Sequence, residues 1–244
     1  MNPNPMEFRS GVISPVECLK EGWQLIKDSY WLFLGITLVA MLIGGAVPVV
    51  LVGAMMCGLY MCLFAKMRGE PVEFAMLFKG FDYFMQGLVA AAIQTLPVIL
   101  IMAVGQVIFV AFTLVIIPRE RGEVLPPVFW VGLVLFVLFA MIVSLVIHSL
   151  FLFAYPLIVD RNLSGLDAIK LSYRAALQNL SGIIGLILLM GGLGILGVLA
   201  CYVGVFLVMP ISFGAYAVAY RRVFPATGSF SGSAPPPPPG SWAA

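Results

Sequence analysis

Ser14-Pro15-Val16-Glu17 opens the stretch whose reading decides the fold. Apolar residues follow at Val16, Leu19, Trp23, Ile26 and Tyr30, and the chain then enters Trp31-Leu32-Phe33-Leu34-Gly35-Ile36-Thr37-Leu38-Val39-Ala40-Met41-Leu42-Ile43-Gly44 without a charge. Returns every three or four residues describe a helix with one apolar face, whereas the run after it is apolar on all sides. The same plan recurs at an offset of 150 residues. There Ser164-Gly165-Leu166-Asp167 leads through Leu166, Ile169, Tyr173, Ala176 and Leu180, and Gly185 and Gly194 stand where Gly35 and Gly44 stood.

Each copy begins with a helix-start signature. Ser14 suits an N-cap that accepts from the amide of Glu17 while the Glu17 carboxylate reaches back, with Pro15 at the first helical position. Ser164 and Asp167 repeat the arrangement with a shorter acid. Trp23, Tyr30 and Tyr173 have amphipathic rings that favour the headgroup level, so both segments read as interfacial helices anchored by them. A weaker third copy starts at Glu70-Pro71-Val72-Glu73 and runs through Phe74, Phe78, Phe81 and Phe84.

The whole chain supports a bilayer setting. Of 244 residues, 62% are hydrophobic and 10% charged, against about 25% charge in a soluble domain. Runs of this length can cross a hydrocarbon core about 30 Å thick. We read six spans, near 31–47, 49–66, 87–116, 127–158, 181–199 and 201–220. The first and last pairs are separated by little more than Pro48 and a glycine-rich stretch, so they are hairpins of two crossings or single broken helices; the length favours two crossings. The expected fold is an all-α integral membrane bundle with a parallel internal repeat.

Charge then orients the bundle. Eleven of the thirteen Lys and Arg residues fall in segments that six spans place on one side, leaving Arg119 and Arg121 opposite. The positive-inside rule assigns that side, with both termini, to the cytoplasm. Residues 1–13 hold Glu7 and Arg9 and no apolar core, so they read as a cytoplasmic segment and not a cleavable signal. Residues 14–224 form the membrane domain, with repeat copies at 14–68 and 164–224 and the weaker unit at 70–158. Residues 225–244, with Pro235 to Pro239, read as a proline-rich disordered cytoplasmic tail.

Tyr155-Pro156-Leu157-Ile158-Val159-Asp160-Arg161, then Ala168-Ile169-Lys170-Leu171-Ser172, and finally Gly214-Ala215-Tyr216 with Tyr220-Arg221 carry a resemblance. On these residues the chain resembles a bacterial group of multi-pass membrane proteins of unknown function, similar to the membrane domain attached to some glycerophosphodiester phosphodiesterases. That resemblance implies a fold and no activity. It also implies the bacterial cytoplasmic (inner) membrane.

Residues that could carry chemistry are few. His148 is the only histidine, with Ser144 and Ser149 beside it; Gln94 and Gln106 lie in the third span. Polar groups inside membranes are costly and therefore candidate sites. There is no His/Cys/carboxylate cluster, phosphate-binding glycine loop, GxSxG or HExxH pattern, so no catalytic residue, cofactor or metal ligand is assigned. The four cysteines are scattered and read as small apolar packing residues. A net charge of +2, with the basic residues marking topology, argues against nucleic acid. The expected function is a non-catalytic structural or accessory subunit. Its partners would be membrane lipids and either a second copy, forming a homo-oligomer, or other membrane proteins. The alternative is a transporter or lipid-handling protein with a polar cavity between the repeats, lined by Gln94, Gln106, Ser144 and His148.

Overall fold

In a computed structural model, which describes residues 8–116, 127–199 and 203–225, every regular element among the described residues is helical. The order is α1 (Pro15–Ile26), a 3₁₀ turn η1 (Lys27–Ser29), α2 (Tyr30–Ala46) and α3 (Val52–Met67). A long 3₁₀ helix follows (Phe74–Tyr83, here η2), then α4 (Phe84–Ile116), α5 (Pro127–Leu150) and α6 (Ala154–Arg161). The chain closes with α7 (Gly165–Gln178), α8 (Leu180–Leu199) and α9 (Val203–Val223). Among the described residues five stretches are long and apolar enough to cross a membrane: Pro15–Ala46, Phe74–Phe112, Phe129–Arg161, Leu180–Leu199 and Val203–Val223. The second expected span, α3, is apolar but has only 16 residues, about 24 Å of helix. The expected tail at 225–244 lies outside the described residues apart from Pro225.

The short helices do not stand apart from the bundle. Cys18, Gly22 and Ile26 are the buried residues of α1, at the i, i+4, i+8 spacing of one helix face. That face runs antiparallel along α9: Glu17 and Glu21 reach Arg222, Gly22 lies on Gly214 and Ala215, and Tyr30 reaches Leu207. The stripe expected to anchor α1 shares only Ile26 with that face, and its Val16 and Trp23 are 53% and 43% exposed. Helix η2 lies on α3 in the same fashion, with Leu77 and Gly80 buried against Ala54 and Gly58. The third short helix, α7, docks on the α5–α6 junction through Ser172. Each docking point uses a small residue, which lets two helices approach to backbone contact. Each short helix also begins against a neighbouring long helix: Pro15 beside Gly185, Phe74 beside Gly35, and Gly165 beside Gln86 and Val89.

One expected span is interrupted. Residues 127–158 are not one helix, because α5 ends at Leu150 and a turn at 151–153 precedes α6. Pro156, in the first turn of α6, has no amide to bond the carbonyl four residues earlier, so a continuous helix is disfavoured here. Ser172 satisfies the break. Its Oγ accepts from the Phe153 amide at 3.2 Å and donates to the Leu150 carbonyl at 2.9 Å. Elsewhere α4 runs for 33 residues with Pro97 inside it, about 50 Å and longer than a bilayer core.

The two expected caps differ. Ser164 Oγ accepts from the Asp167 amide at 3.2 Å and donates to Asp167 Oδ2 at 2.7 Å. Ser14 occupies the N-cap position, but its side chain makes no capping bond, and the Glu17 carboxylate accepts from Arg222 at 2.7 Å. The competitor is a guanidinium, a stronger and charge-assisted donor than a backbone amide.

Candidate functional site

The ends of the helices are where polar side chains gather. Asp160, at the end of α6, accepts from Arg221 at 2.7 and 2.9 Å through its two oxygens and from the Tyr220 hydroxyl at 2.7 Å. The Arg221 guanidinium also lies 4.4 Å over the Phe64 ring, and Phe64 stacks with Tyr220 at 5.4 Å. The partner of Asp160 is therefore on α9, and its neighbour Arg161 instead sits 5.0 Å over Phe224. At the same end Lys66 donates to Ser29 at 3.1 Å, Tyr83 donates to Asn162 at 3.0 Å, and the Arg9 amide bonds the Val223 carbonyl. These contacts bring the C-terminal ends of α3, α6 and α9 together with the N-terminal ends of α2 and α4.

Asn179 locks a further joint there. It sits between α7 and α8, where its Nδ2 donates to the Arg9 and Ala175 carbonyls at 3.0 and 2.9 Å and its Oδ1 accepts from Val12. Sequence reasoning passed over Asn179 and Ser172. Asn179 had a signal, a polar residue just before an apolar run, whereas Ser172, inside α7 between Lys170 and Arg174, had none.

A larger opening lies on the flank of the bundle. A groove of about 870 Å³ runs between α4, α5 and α8, walled by Val98, Met102, Leu138, Leu145, Ile187 and Ile195 among others. Among the described residues Ser144 and His148, four residues apart on α5, supply its only polar side chains. The His148 ring meets Tyr216 edge-on at 6.2 Å. Gly191 and Gly192 form part of its wall, and neither would bring a Cβ within 4 Å of a neighbour. Gly197 packs closely against Gly204 and Val205, whereas Gly191, Gly192 and Gly194 meet no such neighbour.

The expected polar set is only partly brought together. Gln94 is half-buried and does not line the groove, and Gln106 borders a separate shallow depression with Val107, Val110, Ala111 and Leu114. The interfacial candidates Trp23 and Tyr173 are exposed, whereas Tyr30 is half-buried and donates to the Leu207 carbonyl at 2.8 Å. Pro210, lacking an amide, leaves the Phe206 carbonyl without its helical donor, and the Tyr30 bond falls on the next carbonyl along. Cys18, Cys57 and Cys62 are buried in the core, and Cys201 lies outside the described residues. No protein-family model matches the chain, and comparison with curated proteins and with solved structures found no match.

Proposed function

We propose that this chain is a non-catalytic multi-pass protein of the bacterial inner membrane, acting as a structural or accessory subunit. The observation that carries this reading is the α4–α5 hairpin. Its faces are apolar and open on both helices, with Leu100, Val107 and Ile108 on α4 and Leu135, Met141 and Ile142 on α5 each at least 60% exposed. Inside a bilayer that surface meets lipid tails or another membrane protein.

Six crossings with both termini cytoplasmic fit the same reading. Lys66 at the end of α3 meets Ser29 at the start of α2, so α3 returns as the second arm of a hairpin despite its length. The triple recurrence of a short helix on the closing helix of another pair supports duplication into three units. In that scheme Gly22 and Ser172, 150 residues apart, are one position. The resemblance to the phosphodiesterase-linked membrane domain rests on α6, α7 and the end of α9 and agrees with a role without catalysis. Purification of the intact protein in mild detergent after in-membrane crosslinking is expected to return a second copy or other membrane proteins. A monodisperse monomer without partners would remove the basis of this reading.

The groove favours a second reading, lipid handling. It is apolar apart from Ser144 and His148, as ligand pockets are, and the missing side chains at Gly191 and Gly192 help to shape it. Gly192→Phe would fill it, so the variant is expected to lose lipid that co-purifies with the wild type. Equal lipid content in the two proteins sinks this second reading.

A further inference from the structure

A second cavity, of about 350 Å³, opens where α3, η2 and α6 meet at the charged end of the bundle. Its walls are Met61, Phe64, Met76, Tyr83 and Val159, and its charged lining is Arg68, Lys79, Glu70 and Asp160. A 3₁₀ helix has three residues per turn, so residues three apart eclipse one another. Along η2 this sorts the side chains into columns. Leu77 and Gly80 face α3, Met76 and Lys79 face the cavity, and Phe78 and Phe81 point outward at 43% and 41% exposure.

The charges in the cavity are not equivalent. Asp160 is answered by Arg221 and Tyr220, as described above. Glu70 takes Nε and Nη2 of Arg68, both at 2.7 Å, and the guanidinium holds its carboxyl below the ordinary carboxylate range. That fork leaves Arg68 Nη1 for another acceptor. Among the described residues Lys79 has no hydrogen bond or ion pair, so it is the lining charge without a counter-charge. The opening therefore offers one uncompensated ammonium and one spare guanidinium donor, with an apolar back wall. Basic pockets between helices at a cytoplasmic face are suited to lipid phosphates.

We propose that this cavity binds the phosphate of an anionic phospholipid headgroup, with Lys79 and Arg68 as its ligands. Phe78 and Phe81, exposed on the next column of η2, enter the same lipid layer and bring the cavity mouth to headgroup depth. A phosphate on a lipid, and not the free ion, is the occupant because the cation sits beside this aromatic surface.

The test uses the full-length protein in neutral detergent and a fluorescent short-chain phosphatidylglycerol, read by anisotropy. Wild-type protein is expected to bind this probe at least ten-fold more tightly than the matching phosphatidylcholine. Lys79→Ala should lose most of that preference and Lys79→Arg should restore it, while Lys170→Ala, a change in a basic residue of α7, should leave it intact. Lys79 is exposed, so its variants are expected to elute with the wild type on gel filtration. Equal binding of the two lipids, or equal loss in Lys79→Ala and Lys170→Ala, overturns the proposal. Displacement of the probe by inorganic phosphate at the probe's own concentration also overturns it, because the site would then take the free ion.

Discussion

Gly22 of α1 lies against Gly214 of α9 so closely that a Cβ placed on Gly22 would stand 2.5 Å from the amide nitrogen of Ala215. The obstacle is backbone, which cannot swing aside. Gly22→Val is therefore expected to part α1 from α9 and to destabilise the protein by about 1–3 kcal/mol or more. The thermal midpoint in detergent checks this, with Gly191→Ala as the control. A Cβ at Gly191 meets nothing within 4 Å, so the control should keep the wild-type midpoint.

Ser172→Ala removes the one side chain that serves both sides of the α5–α6 break. The Phe153 amide and the Leu150 carbonyl would be left without this partner, at about 1–3 kcal/mol for a buried unsatisfied group. A lowered unfolding midpoint is expected. Faster hydrogen exchange confined to residues near 150–154 would locate the loss.

Asn179→Ala should act on a distant part of the chain. It deletes the bonds to Arg9 and Val12, some 170 residues earlier in sequence. Limited proteolysis is expected to cut before residue 15 in the variant under conditions that spare the wild type. An unchanged digest would mean that Phe8, Val12 and Ile13, which also pack on the core, hold the segment without it.

Ser164→Ala and Ser14→Ala separate the two expected caps. Ser164 makes the capping bond, so its loss should cost about 1 kcal/mol. Ser14 makes none, so its replacement should leave the unfolding midpoint nearly unchanged. Equal effects in a melting series would show that both serines cap in solution.

Tyr30→Phe takes away the donor to the Leu207 carbonyl in the turn before Pro210. A net loss of about 0.5 kcal/mol, the low end for a hydrogen bond, is expected for this exposed bond, read as a lower midpoint with the fold retained by circular dichroism.

The class of fold and the helix starts were legible in the sequence because they depend on local quantities. Runs such as 181–199 are apolar on every face, and α8 occupies nearly that range. Ser164 and Asp167 lie within one turn of each other, so their cap followed from spacing alone. The interruption of 127–158 at Pro156 was visible as a residue but not as a break, since prolines also sit inside α4 and α9 without ending them. Tertiary contacts decided the rest. Glu17 could serve its own helix or a partner, and only the arrival of Arg222, 205 residues away, resolved that competition. Gly191 lies in an apolar run and Gly22 between Glu21 and Trp23, yet only the fold shows that the first opens a groove and the second meets a backbone. Lys79 became notable only when Asp160 and Glu70 were taken by Arg221 and Arg68. The interfacial-looking helices that opened the reading are the clearest case. The spacing of apolar residues suggested one face, but which face is buried depended on the surface each helix met, at Gly214 for α1, Gly58 for η2 and the α5–α6 turn for α7.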